Sequence, residues 1–400
     1  MQVEPKSSTE PSRAKHDGPT VLQVLPALDA GGVERSAVDV AAALSAAGWR
    51  ALVASSGGAK EREIIRAGAE VITLPLASKN PLVIRANIDR LVALIEAENV
   101  DLVHARSRAP AWSAFYAAQR TGRPFVTTFH GTYNFTNFLK RKYNSVMARG
   151  DRVIANSEFI ADHLRHNYGA DDSLIRVVPR GIDFGQFDPA KASGERIIKL
   201  AAQWRLPDGV PVIMLPGRLT RWKGQTVVID ALANLGRDDV RCLLVGDDQG
   251  REGYRAELEK RIKARSLDGI VHVVEHCNDM PAAYMLADVV VSASLDPEAF
   301  GRVAVEAQAM GRPTIATDHG GARETLVDGE TGWLVPPGNA RALARALEAA
   351  LAIGAAEREA LAARAMARVR ARYSKEAMCT ATLAVYRELL HGAGAARAAE

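Results

Sequence analysis

Cysteine is scarce: only Cys242, Cys277 and Cys379 occur in 400 residues, far apart and with no Cys-x-x-Cys. That excludes a disulfide scaffold and a thiolate-held structural metal, and it fits a reducing compartment. Long apolar runs are absent too; none approaches the ~20 residues of a membrane-spanning helix. Charge of one sign is nearly absent in the balance, at a net +4. That is compatible with an anionic ligand or an anionic membrane surface and gives no sign of a nucleic-acid partner. Residues 1–18 and 391–400 lack the apolar core of a secretion signal or a packed element, and both are expected to be disordered tails.

What is present is a long, ordinary enzyme-like composition, 48% hydrophobic and 24% charged, which suggests two domains of a soluble globular chain. Short β-branched runs alternate with helical stretches. Strands are expected at Thr20–Pro26, Ala51–Ser55, Val71–Leu74, Leu102–Ala105, Phe125–Phe129, Arg152–Ala155 and Ile175–Pro179. Two prolines between Arg180 and Pro211 mark a passage, after which the alternation restarts at Val212–Pro216. Alternation of this kind builds α/β domains with parallel sheets. The expected division is 19–190 and 191–376, with a last helix at about 377–390 returning to the first domain.

The richest stretch is Ser292 to Thr325. Asp288–Ser292 reads as a buried strand, Val303–Met310 as a helix stopped by Gly311 and Pro313, and Thr314–Thr317 as the next strand. Glu298 then lies in a loop at a strand's carboxyl end, where open α/β sheets bind ligands. Glu306 lies eight positions on, inside the helix. The first amides of that helix, at Phe300, Gly301, Arg302 and Val303, could receive a phosphate, and glycine at 301 permits close approach. Two solvated glutamates on an ordinary surface remain the plain alternative.

Three further places carry chemistry-bearing residues. Gly31-Gly32 separates the first strand from a helix with Ala37, Val40, Ala41 and Leu44 on one face. It lacks the full Gly-x-Gly-x-x-Gly, so a dinucleotide fingerprint is not supported. His130 directly follows the strand Phe125–Phe129 and precedes Gly131; it is placed like a site residue, although a lone histidine is more often a packing residue. Arg218 and Lys223 stand in the glycine-bounded loop Gly217–Gly224. No Asp-x-Asp occurs, a pattern through which a metal often holds a sugar nucleotide's diphosphate. The two cations and the helix start near Gly301 could supply fixed positive charge instead, so neither a metal nor a cofactor is expected.

Gly31-Gly32, Thr128-Phe129-His130-Gly131, Ala155-Asn156-Ser157, Val178-Pro179-Arg180-Gly181, Gly217-Arg218-Leu219 with Lys223-Gly224, Glu298-Ala299-Phe300-Gly301 with Glu306-Ala307, and Gly320-Gly321 with Glu324 occur in one order. Together they resemble the retaining glycosyltransferases of family 4, over about residues 20–390. The resemblance implies the GT-B architecture, two Rossmann-like domains with parallel sheets facing across a cleft. It also implies roles. Arg218 and Lys223 would hold the diphosphate of a nucleotide-sugar donor, and Glu306 the ribose hydroxyls. Glu298 and the backbone of Phe300–Val303 would hold the donor sugar. Gly31-Gly32 would touch the diphosphate, and His130 would face the transferring sugar. Arg180 departs from the family, where many relatives carry Asn.

The implied function is retaining transfer of a hexose-type sugar to a glycan or lipid-linked acceptor. His104–Trp112 and Lys140–Asn144 point to lipopolysaccharide-core or other envelope-glycan synthesis, in the cytoplasm and at the inner face of the cytoplasmic membrane. Cations at Lys140, Arg141, Lys142, Arg149 and Arg152 interleave with Phe135, Phe138, Leu139, Tyr143, Val146 and Met147, as in an interfacial helix. A sugar-nucleotide epimerase and a non-catalytic sugar-nucleotide-binding protein are the alternative readings.

Overall fold

The computed structural model describes residues 18–29, 31–133, 137–250 and 252–397. Two all-parallel sheets dominate. The first holds β1 (Thr20–Val24), β2 (Arg50–Ser55), β3 (Glu70–Thr73), β4 (Leu102–Ala105), β5 (Phe125–Phe129), β6 (Arg152–Ala155) and β7 (Ile175–Val177), in the order β3-β2-β1-β4-β5-β6-β7. The second holds β8 (Val212–Pro216), β9 (Arg241–Val245), β10 (Val271–Val274), β11 (Val289–Ser292), β12 (Thr314–Thr317) and β13 (Trp333–Val335), in the order β10-β9-β8-β11-β12-β13. Parallel strands flanked by crossover helices are covered on both faces, which is why their sequences are near-continuous apolar runs. β1, β5 and β8 are buried at every residue, and Val289, Val290 and Val291 are fully buried. The expected alternation and both sheets are found, as is the helical piece of the passage, at Gly194–Gln203.

The chain folds as two compact units, one of residues up to Val126 with those from Glu388, the other Thr127–Arg387. In the first, the helix Gly32–Ala46 buries Ala37, Val40, Ala41 and Leu44, the four positions its periodicity singles out. In the second, a cluster of Ile213, Leu215, Leu232, Leu244, Val291 and Leu347 packs one face of the sheet. A second cluster of Met214, Leu243, Tyr284, Val290 and Val305 packs the other. Each such side chain contributes about 1.5–3 kcal/mol on burial.

Two expectations need correction. The C-terminal helix is Lys375–Arg397, so residues 391–397 are helical and not tail; alanine-rich sequence propagates a helix through two glycines. Residues 1–17 and 398–400 of the expected tails lie outside the described residues. The interfacial helix is also shorter than expected. Phe138–Asn144 is helical, and Ser145–Ala148 tightens to a 3-10 turn. Val146 and Met147 are fully buried while Phe138, Leu139 and Tyr143 are exposed, so the apolar positions serve two surfaces. Phe135 lies outside the described residues. Among the described residues no helix is long and apolar enough to cross a membrane.

Candidate active site

The order of the second sheet reverses between β8 and β11, which pair through Ile213–Val289 and Met214–Val290. At such a switch point the loops leave the carboxyl ends of neighbouring strands in opposite directions and open a crevice. Gly217–Gly224 follows β8 and Ala293–Gly301 follows β11, and these are the loops that carry the predicted cations and Glu298. They are joined by Leu295 N–H donating to the Trp222 carbonyl at 2.6 Å. Gly224 is left-handed, and a Cβ there would lie 1.9 Å from the Ala293 carbonyl oxygen, so only glycine fits.

This packing brings Lys223 and Glu298 together. Lys223 Nζ lies 2.5 Å from Glu298 Oε1, and Ser294 Oγ donates to the same oxygen at 2.6 Å. The two charged side chains are 13% and 15% exposed. Burial by itself would raise the carboxyl pKa of Glu298. The charge and hydrogen bond of Lys223, the Ser294 hydroxyl and the charge of His319 outweigh it and hold Glu298 below the usual carboxylate range. The Lys223 ammonium also sits 4.4 Å from the Trp222 ring centre, a cation–π contact. Two residues assigned from sequence to different parts of a ligand are thus one ion pair. Arg218, on the same loop, is exposed.

The helix Arg302–Ala309 starts at Gly301, whose φ of 86° is left-handed, and no side chain caps it. Its leading amides are therefore of the kind that accepts an anion. The Phe300 side chain is buried and packs edge-on against Tyr373 at 5.3 Å, and Val303 packs on the core. A binding role for 300–303 accordingly belongs to backbone. Glu306 is nearly buried. Arg302 Nη2 and Nε donate to its Oε1 at 2.6 and 3.0 Å, and the Tyr284 hydroxyl donates to Oε2 at 2.9 Å. Burial, and then the nearby Glu306 charge, push the Tyr284 hydroxyl pKa well up.

His130 directly follows β5, and Arg180 Nη2 reaches its Nδ1 at 3.0 Å. Gly31-Gly32 lies in the other unit. Gly31 is extended there, and the Glu34 carboxylate sits over the start of the helix, 2.2 Å from where a Gly31 Cβ would be. Ser157 caps the helix Glu158–Tyr168, accepting from Ile160 N while donating to the Ala299 carbonyl at 2.5 Å. The Glu324 carboxylate accepts from the amides of Glu158 and Phe159 at 2.9 and 2.8 Å.

Three of these partners escape sequence reasoning. Tyr284 has no local pattern that points at Glu306, being 22 residues away and on a different helix, and Ser294, though only four residues before Glu298, lies in a loop with no periodicity to pair the two. His319 could have been noticed beside Gly320-Gly321, at the end of β12.

Residues 30–186 match the family described as Glycosyltransferase Family 4, and residues 197–368 match Glycosyl transferases group 1. A D-inositol 3-phosphate glycosyltransferase of Actinosynnema mirum is 32% identical over 325 residues, 75% of this chain and 75% of that protein. Among solved structures, a glycosyltransferase from Rickettsia africae superposes with a TM-score of 0.87 at 38% identity, covering 94% of this chain and 99% of that one. HepE of Anabaena, solved with UDP and glucose, gives 0.81 at 25% identity over 93% and 100%. The fold and these matches define a glycosyltransferase of the GT-B class. The chain belongs to the family that joins a Glycosyltransferase Family 4 region to a group 1 region.

Proposed function

We propose that the protein is a retaining, metal-independent hexosyltransferase that moves a sugar from a nucleoside-diphosphate sugar to a glycan or lipid-linked acceptor of the cell envelope. The observation that carries the reading is the Lys223–Glu298–Ser294 cluster at the β8/β11 switch point, beside a helix start that no side chain caps. In this reading Lys223 and Arg218 meet the diphosphate, Glu306 the ribose, and Glu298 with the backbone of 300–303 the sugar. Gly31-Gly32 approaches the diphosphate and His130 faces the transferring sugar. The leaving phosphate takes the acceptor's proton, so catalysis lies in charge stabilisation rather than in a protein nucleophile. A UDP-hexose is the first donor to test, because HepE holds UDP and glucose. The division of the chain at about residue 190, with an acceptor-side half before it and a donor-side half after it, is part of the same proposal, as is a cytoplasmic site of action.

The acceptor has a second reading. Relatives such as the Actinosynnema protein are named for D-inositol 3-phosphate, which makes a small phosphorylated polyol the alternative to a lipid-linked glycan. The test is a turnover assay with UDP-glucose against each acceptor class, with the product anomer read by proton NMR. Retention of the α configuration is expected. An inverted product would refute the retaining mechanism, and interconversion of the donor sugar without acceptor would favour an epimerase.

A further inference from the structure

His130 and Arg180 come from different strand ends, and both are half-buried. Phe129 fixes the strand before His130; it is fully buried and packs against the rings of Tyr133 at 4.6 Å and Tyr168 at 5.4 Å. Arg180 is held by its backbone on both sides. Before it, Val178 N–H donates to the Ala155 carbonyl at 2.8 Å. After it, Ile182 and the segment at Tyr373–Lys375 exchange hydrogen bonds, Ile182 N to Tyr373 O at 2.8 Å and Lys375 N to Ile182 O at 2.9 Å. Gly181 is pressed on that segment, with the Lys375 Cα 2.5 Å from where its Cβ would be. The Arg180 guanidinium is thus delivered from a fixed anchor to His130 Nδ1, at 3.0 Å.

The chemistry of that contact has one solution. Guanidinium has five donor hydrogens, no acceptor, and is never deprotonated in proteins. Nδ1 must therefore be the acceptor, without a hydrogen, and the ring is neutral with its hydrogen on Nε2. A second proton could only enter at Nδ1, against the guanidinium charge and at the loss of the hydrogen bond.

We propose that Arg180 is a positioning residue for sugar transfer, holding His130 as the neutral Nε2–H tautomer so that His130 acts as a hydrogen-bond donor and not as a general base. The role in transfer rests on the placement of His130 at the donor sugar; the tautomer does not. A base would need Nε2 without its hydrogen, whereas a donor to a sugar oxygen needs it in place.

The full-length protein with 15N-labelled histidine tests this directly. A two-dimensional 15N–1H spectrum, with His130 assigned by its loss in His130→Gln, should show a pyridine-like Nδ1 and a pyrrole-like Nε2. The opposite pattern, or two pyrrole-like nitrogens at neutral pH, would overturn the proposal without any variant at Arg180. Arg180→Met should mix the tautomers and lower kcat by about tenfold or more, taking as a guide the scale known for hydrogen-bond partners of metal-ligating histidines. Its UDP affinity should not change. Arg180→Lys, whose ammonium also only donates, should recover the Nε2–H pattern and part of the kcat. Unchanged kcat in Arg180→Met with a demonstrably mixed tautomer would overturn the positioning role. Normal turnover by His130→Ala would overturn the placement of His130 itself, and the NMR pattern of the wild type then tells the two failures apart.

Discussion

The ion pair between Lys223 and Glu298 makes the two residues interdependent. Removing the lysine leaves a largely buried carboxylate without its counter-charge, and breaking such a pair costs about 3–5 kcal/mol. Lys223→Met should therefore lower the melting temperature sharply, and Lys223→Met with Glu298→Gln should recover most of it while remaining inactive. A double-mutant cycle by thermal denaturation checks this; additive losses would show that the pair is not coupled. The same pair sets a pH dependence. Glu298 titrates below its ordinary value of 4.5 when folded, so its stabilising share is complete above that value and is lost as pH falls through the lower folded value. Unfolding measured from pH 6 down to pH 3 should show a steeper loss in the wild type than in Glu298→Gln. The two glutamates should also differ in kinetics. Glu306 is held by Arg302 and Tyr284; in the proposed reading it meets the ribose, whose contacts would be alike in ground and transition states, so Glu306→Gln should chiefly raise the donor KM. Glu298→Gln should chiefly lower kcat. Steady-state kinetics with equal kcat losses and unchanged KM in both would contradict the assignment.

At the scale of elements, two glycines separate backbone conformation from crowding. Gly301→Ala places a side chain at φ 86° with its nearest neighbour 3.6 Å away, so the expected cost is the left-handed penalty alone, about 1–2 kcal/mol. Gly224→Ala adds to that penalty a contact at 1.9 Å with the Ala293 carbonyl and should lose distinctly more, because a backbone oxygen must move. Chemical denaturation of both variants compares them; equal losses would mean that the two loops are not packed as described. Much of this architecture was legible from letters alone. Val212–Pro216 stands in the sequence at its observed bounds, because a strand covered on both faces leaves an unbroken apolar run between polar turns. The loops carrying Glu298 and Lys223 follow from the same logic, since strand ends dictate where loops begin. What was not legible is who faces whom. Glu298 and Lys223 are 75 residues apart, and Tyr284 has no periodic relation to Glu306, so their pairing depends on strand order, which no local pattern encodes. The segment at 138–147 departs from its pattern for a related reason. Its apolar stripe reads as one face, whereas the chain tightens at Ser145 and turns Val146 and Met147 into the core.

For the molecule as a whole, two measurements bear on the proposed chemistry. Activity in excess chelator should stay near its starting value; abolition by chelator and recovery with magnesium would end the metal-independent reading. Phe138, Leu139 and Tyr143 are exposed beside Lys140, Arg141 and Lys142. If that surface meets an anionic bilayer, each cation contributes about 1 kcal/mol. Sedimentation with anionic vesicles should then be salt-sensitive and should weaken when the three cations are changed to Glu, whereas equal partition onto neutral vesicles would speak against a membrane-presented acceptor. The cap on the helix Glu158–Tyr168 has a consequence for how the chain is made. Its first two amides are satisfied by Glu324, up to 166 residues further along. At a synthesis rate of about 5–20 residues per second, those amides are made roughly 10–30 s before the carboxylate that will cap them. For that interval the helix start is held by Ser157 alone, whose hydroxyl also still waits for the Ala299 carbonyl. The first half of the protein can build its sheet during translation, but the end of this helix matures only when the second half arrives.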